Sequence, residues 1–247
     1  QEYIQEVVRR NDIEEIIGQY VASLVNDGDC IQLGFGGIPN AIGFELMNRH
    51  DLGIHTEQIG ASMAHMIQSG VVTNRYKNLD RGWSVGAFII ADNFTYNYVN
   101  NHPRIMMRRG RYTNDPMIIA QQDNMVSINA ALQIDLTGQV AAEAIGTVQW
   151  SGTGGATDYA YGAYHSRGGR AMLCQISTAK KGTISRIAPI LDPGSIVSVS
   201  RNLTDMVITE YGVAKLRQRT VKQRVENLIA VAHPDFRAEL RKEANKY

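Results

Sequence analysis

The chain has 247 residues, 44% of them hydrophobic, and 25 Lys+Arg against 24 Asp+Glu give a net charge of +1, a size that allows one large or two small domains. So even a balance gives no reason to expect nucleic acid or a membrane surface as a partner. No apolar run approaches the roughly 20 residues of a membrane span and no charged-then-apolar leader opens the sequence, so a cytoplasmic protein is expected.

In chain order, Asp12 is positioned to cap a helix whose apolar residues Ile13, Ile16, Ile17, Tyr20, Val21, Leu24 and Val25 recur at three and four, with Glu15 completing a capping box. Asn26 to Asp29 then reads as a turn, Cys30 to Phe35 as a buried strand, Gly36 and Gly37 as a loop, and Ala41 to Asn48 as a helix. Strand, glycine loop and helix in that order form the anion-binding unit of open α/β sheets. Ile54 to Glu57 is predicted as a strand end, Ala61 to Ser69 as a helix, and Trp83 to Ala91 as a strand. Asn93 to Asn100 is predicted as a helix stopped by Asn101-His102-Pro103. Strands are expected at Met125 to Ile128, Leu132 to Asp135, Val140 to Ala144, Ala171 to Ile176 and Ile196 to Ser200, and helices at Val221 to Val231 and Pro234 to Lys246.

Three segments carry candidate chemistry. Ser151-Gly152-Thr153-Gly154-Gly155-Ala156-Thr157-Asp158 places paired glycines after a polar run, which lets main-chain N–H groups crowd a ligand and hold an oxyanion. Gly34-Phe35-Gly36-Gly37-Ile38-Pro39-Asn40 offers a second bare backbone loop, although its glycines could equally serve close helix–strand packing. It is not a dinucleotide fingerprint, because the third glycine and the acidic residue closing the second strand are absent. Ile54-His55-Thr56-Glu57 supplies a carboxylate between apolar neighbours, where burial demands a partner or a purpose.

A carboxylate beside two bare loops suits nucleophilic attack on a thioester, with N–H groups receiving the charge on the carbonyl oxygen. His55 could act as a base, but a histidine in a strand is more often structural. It shares a strand face with Glu57, yet no third metal ligand is recognisable. Cys30 and Cys174 lie far apart in apolar stretches, which predicts buried free thiols and not a disulfide. Arg104, Arg108, Arg109 and Arg111 form a local basic cluster that reads as a solvated face, with contact to a phosphate as the alternative.

From Asn26 to its end the sequence resembles the C-terminal half of the acetyl-CoA hydrolase/transferase family, to which carboxylate CoA-transferases belong. The resemblance rests on Gly34-Phe35-Gly36-Gly37-Ile38-Pro39, Gly53-Ile54-His55-Thr56-Glu57, Asn101-His102-Pro103, Asn124 to Asn129, Asp135 to Val140, Ser151 to Asp158, Ser177-Thr178-Ala179-Lys180, Thr209-Glu210-Tyr211-Gly212 and Ala232 to Arg237. It implies a three-layer α/β fold with an open, mostly parallel sheet of the CoA-transferase type. Residues 1–25 are then a linker and leading helix, and 26–247 the C-terminal domain.

The activity implied is transfer of CoA between an acyl-CoA and a short-chain carboxylate, with coenzyme A as a substrate transiently covalent on Glu57 and no metal. The resemblance further implies that Gly155 gives its N–H to the oxyanion, that Asn101 helps hold the carboxylate, and that Gly34, Phe35, Gly36, Gly37 and Ile38 approach the thioester through backbone amides. Ser151, Gly152, Gly155 and Lys180 match positions lining the CoA site, with Lys180 suited to its pantetheine or phosphate end. Hydrolysis by the same glutamate is one alternative, and a non-catalytic CoA-binding or assembly subunit is another. Family chains carry a further N-terminal α/β domain, so an N-terminal half or partner subunit is expected to complete the site, and a homo-oligomer is expected. After the matched glutamate the family commonly has an Asp-Gly pair, whereas Gly60-Ala61-Ser62 follows here.

Overall fold

A computed structural model describes residues 12–245. Six strands form the central sheet: β1 (Cys30–Leu33), β2 (Gly53–Ile54), β3 (Met125–Ala130), β4 (Arg170–Cys174), β5 (Met206–Thr209) and β6 (Gly212–Lys215). Their spatial order is β6-β5-β4-β3-β1-β2, with every pair parallel except the edge hairpin β5–β6. The helices that matter below are α1 (Asp12–Ala22), α2 (Gly37–Glu45), α3 (Ala61–Gln68), α4 (Asn93–Val99), α5 (Ala156–His165), α6 (Val221–Val231) and α7 (Pro234–Ala244).

The strand residues alternate between two cores, as the period of two demands. Cys30, Met125, Leu173 and Val207 face one layer with Tyr159 and Ala163 of α5 and Leu228 of α6. Ile31, Val126, Met172 and Ile208 face the other, with Ile17 and Val21 of α1, Ile42 of α2 and Met66 of α3. The result is the three-layer, mostly parallel α/β fold expected. Cys30 and Cys174 are free and buried, one on each side of the sheet.

Several boundaries differ from the expected ones, each for a physical reason. Asp12 is the first described residue of α1, and with Glu14 and Glu15 it places acidic groups in the first described turn. The remainder of the predicted leading segment, residues 1–11, lies outside the described residues. Helix α2 begins at Gly37 and not Ala41. The φ of 122° at Gly36, a value that favours glycine, turns the chain early, and Pro39 fits the first helical turn. The predicted strand from Trp83 to Ala91 splits into Ser84–Gly86 and Phe88–Ile89, since the amides of Ala87 and Phe88 both donate to the carbonyl of Glu57, at 2.7 and 3.1 Å. Ile196 to Ser200 forms no strand and makes only the isolated Val140–Val199 bridge. Helix α6 begins with a reciprocal cap in which Thr220 Oγ1 accepts from Gln223 N and Gln223 Oε1 accepts from Thr220 N. No helix among the described residues is long and apolar enough to cross a membrane.

Candidate active site

Neighbouring β1 and β3 are where the strand order reverses direction, and in doubly wound sheets the crevice at the carboxyl ends of such strands binds ligands. A cleft of about 530 Å³ opens there, lined among others by Leu33, Gly34 and Phe35 after β1, Asn129 and Ala130 at the end of β3, Glu57, Glu143, and Trp150 to Thr157. Its floor is a closed amide network. Gln32 Nε2 donates to Asn129 Oδ1 at 3.0 Å, Asn129 Nδ2 to Gln32 Oε1 at 3.1 Å, and Ser127 Oγ to Gln32 Oε1 at 3.0 Å. A side chain on Gly34 would begin 2.5 Å from Asn129 Oδ1, so this position is kept bare by its neighbour.

Glu57 enters the cleft where the chain leaves β2. Thr56 N donates to Val85 O at 3.0 Å and Thr56 Oγ1 to Gln58 O at 3.0 Å, so the backbone on either side is fixed. The carboxylate is half-buried, and its Oε2 accepts a hydrogen bond from Gly155 N at 3.0 Å. Gly155 is the residue just before α5, so the positive end of that helix also faces the carboxylate. A Cβ at Gly155 would lie 2.5 Å from Asn114 Nδ2 and 2.7 Å from Glu57 Oε2, so both side chains close on this glycine and keep it bare. The Asn114 amide is oriented by Thr113, whose Oγ1 donates to Asn114 Oδ1 at 2.8 Å. Burial, and then the Glu57 charge, raise the pKa of Asp158 above the ordinary carboxyl range.

Beneath Glu57 lies His55, fully buried, with Nε2 3.1 Å from Thr113 O and its ring 6.5 Å from Tyr159 of α5. Burial, reinforced by the Lys77 ammonium, pushes its pKa down to about 4. It is a neutral interior imidazole and does not reach the cleft.

The predicted site residues divide accordingly. Glu57, Gly155, Gly34, Phe35, Ser151 and Gly152 line one cleft. The predicted loop from Ser151 to Asp158 is half loop, since Ala156 onward is α5. Gly36 and Gly37 line an adjoining chamber instead. Ile38 turns its side chain to the α1–α2–α3 core, because the first turn of α2 is already helical there. Asn101 is an exposed left-handed turn residue (φ 55°) after α4, and Lys180 an exposed one (φ 47°) between the paired segments Thr178–Ala179 and Ile184–Ser185; neither lines the Glu57 cleft. Asn114 was not among the expected residues, since Asn114-Asp115-Pro116 reads only as the entry to a short helix.

Comparison with known proteins places this geometry in context. The acetyl-CoA hydrolase/transferase C-terminal domain matches residues 92–244. A succinyl-CoA:cyclohexane-1-carboxylate CoA transferase of Geobacter metallireducens is 47% identical over 95% of this chain and 54% of its own length. The 4-hydroxybutyrate coenzyme A transferase of Clostridium kluyveri is 45% identical over 95% of this chain and 55% of its own. The crystal structure of RipA from Yersinia pestis superposes with a TM-score of 0.92 at 45% identity, covering 96% of this chain and 53% of that one. The chain spans about half the length of the curated relatives it matches.

Proposed function

The chain belongs to the acetyl-CoA hydrolase/transferase C-terminal domain family, and from that premise we propose that it carries the catalytic carboxylate of a CoA-transferase acting between an acyl-CoA and a short-chain carboxylate. The observation that carries the reading is the 3.0 Å hydrogen bond from Gly155 N to Glu57 Oε2 in the switch-point cleft. A Glu57 oxygen attacks the thioester carbonyl, the C–S bond breaks, and an acyl-glutamyl anhydride forms as CoA thiolate leaves. The thiolate then attacks the glutamyl carbonyl and expels the carboxylate product, which leaves CoA on Glu57 as a thioester. An incoming carboxylate attacks that thioester, and the returning thiolate takes the new acyl group and frees Glu57. No proton is gained or lost in the cycle.

When thiolate attacks the glutamyl carbonyl, the oxygen that becomes the oxyanion is one the resting structure supports with an N–H. Gly155 N therefore needs no reorganisation at that step. Relatives about twice as long, and a cleft rimmed by Phe35 and Trp150, each 68% exposed, support a further domain or subunit closing over the site.

The test is intact mass after incubation of the full-length gene product with acyl-CoA. The expected result is one added CoA, mapped to Glu57 by borohydride reduction and peptide sequencing. A label on another residue, or none with an acyl-CoA that is turned over, rejects the mechanism.

A further inference from the structure

At the end of the strands opposite Glu57, β2, Ser84–Gly86 and Ile105–Met107 start side by side, held in parallel by the His55–Val85 bridge and the Ser84–Ile105 pairing. The residues ahead of them, Asp51, Trp83 and Arg104, line an open depression of about 670 Å³ together with Thr73, Arg75 and Arg81. At roughly 3.3 Å per residue, the run from Asp51 to Glu57 sets this depression about 20 Å from the Glu57 cleft.

The loop that carries Arg75 and Arg81 is anchored from inside. Lys77, only 2% exposed, donates from Nζ to Ile54 O at 2.9 Å and to Trp83 O at 2.7 Å, and its own carbonyl accepts from Arg81 Nε at 3.2 Å. Asn74, also buried, accepts from Ile54 N at 2.9 Å and donates from Nδ2 to Ser84 Oγ at 2.9 Å. Arg104 is fixed through its backbone, since its carbonyl accepts from Ser84 N at 2.9 Å. Buried polar groups therefore hold the rim in place, and little ordering remains to be done when a ligand binds.

The charges on that rim do not cancel. Asp51 accepts from Thr73 Oγ1 at 2.8 Å and pairs with Arg75 Nη1 at 3.3 Å, which balances one arginine. Arg81 and Arg104 have no carboxylate partner among the described residues, so three arginines against one aspartate leave a net charge of +2. The basic cluster of the sequence is thereby divided: Arg108 pairs with Asp80 at 3.4 Å beyond the far end of Ile105–Met107, whereas Arg104 lines the depression at its start.

We propose that this depression binds a phosphate monoester carried on a planar ring, of which a nucleoside monophosphate is the simplest case. The inference does not rest on the CoA-transferase reading above. A phosphate monoester carries close to two negative charges at neutral pH, which matches the uncompensated pair, and its oxygens accept from guanidinium forks in a way a single carboxylate only half fulfils. Trp83, 37% exposed, and Pro103 supply an apolar wall for the ring, which a bare phosphate would leave unused. The volume is that of a small-molecule site, typically about 300–1,000 Å³.

The test is calorimetric titration of AMP and of inorganic phosphate into the full-length gene product. AMP should bind, and phosphate should bind about tenfold more weakly for want of the ring contact. Arg81→Glu and Arg104→Glu, both at exposed positions, should each weaken AMP by on the order of tenfold or more while keeping the parent's unfolding midpoint. Trp83→Leu, which keeps an apolar side chain but no ring face, should bring AMP close to the affinity of phosphate. Light-activated 8-azido-AMP gives a readout that needs no variant, and its cross-link should map to the peptides holding Trp83 or Pro103. No AMP binding, AMP affinity unmoved by both arginine variants, or a cross-link elsewhere in the protein would overturn the site. Equal affinity for AMP and phosphate would overturn the nucleotide assignment.

Discussion

Glu57 and His55 lie two residues apart, both against α5, and their surroundings give them opposite roles. Glu57 reaches the amide of Gly155 just before that helix, half-exposed in a cleft. His55 lies one layer down, fully buried between Tyr112 and Tyr159, with a single carbonyl partner and Nδ1 unbonded. A buried ionisable group is held neutral by its surroundings, whereas one at the rim of a cleft remains reachable. The difference separates the proposed nucleophile from a structural group on one short piece of chain. Changes at the two positions should therefore move different observables.

The largest effect is expected at Glu57. Glu57→Gln should lower CoA transfer by on the order of a thousandfold or more, because a neutral amide is not a competent nucleophile. Unfolding stability should stay within roughly 0.5 kcal/mol of the parent, as for other changes away from a packed core. Denaturation curves alongside exchange of labelled CoA between acyl groups check both halves of the statement. Normal transfer by this variant would erase the contrast with His55.

Gly155 comes next. A single methyl there meets Asn114 Nδ2 at 2.5 Å and Glu57 Oε2 at 2.7 Å, and both are ends of side chains that can move aside. Gly155→Ala should therefore disturb the carboxylate and its donors more than the fold, with a loss on the order of a hundredfold in kcat, the scale of one oxyanion donor. Turnover within about twofold of the parent would mean that the loop before α5 is only a turn.

At His55 the observable is stability against pH. Its folded-state pKa, near 4, is depressed from 6.5 by burial and then by Lys77. Between those values the unfolded chain binds the proton that the folded chain excludes. The contribution is thus complete above about pH 6.5 and is lost as pH falls toward about 4, up to roughly 3 kcal/mol over the whole window. Urea denaturation at pH 7 and pH 5 should show the parent weakening on acidification and His55→Gln, already less stable at pH 7, weakening less between the two. Equal slopes in the two proteins would show that His55 is not the buried neutral group described.

How much of this was legible beforehand follows from the kind of signal each residue leaves. The mostly apolar runs at Cys30 to Leu33, Met125 to Ile128 and Ala171 to Cys174 are local, and they predict strands covered on both faces. Glu57 stood out as a carboxylate among apolar neighbours and Gly155 as a paired glycine, and the fold brings the two together across 98 positions. Asn114 left no such mark, since its place in the site comes from Thr113 fixing its amide and from α5 starting beside it. Ile38 lies in the first turn of α2 with its side chain in the core, which a glycine-rich segment does not show until the backbone at Gly36 marks where the helix begins. Asn101 and Lys180 carry positive φ angles and lie outside the Glu57 cleft, a placement that only the folded backbone shows.

The smallest effect probes the link between the two regions. Thr113 O accepts from Tyr159 O–H at 2.7 Å and lies 3.1 Å from His55 Nε2, while the side chain of the same residue fixes the amide of Asn114 beside Gly155. Tyr159→Phe removes one of two partners from a carbonyl that keeps the other, so it should cost only about 1 kcal/mol. Adding His55→Phe strips the carbonyl of both and leaves it buried and unbonded, which adds roughly 1 to 3 kcal/mol beyond the sum of the single changes. A double-mutant cycle by urea denaturation reads this coupling, and kcat on the same four proteins shows whether it reaches Asn114. A strictly additive cycle would mean that Thr113 does not join the two regions. Coupling in stability with kcat unchanged would confine His55 and Tyr159 to the core and leave the orientation of Asn114 to Thr113 Oγ1 alone.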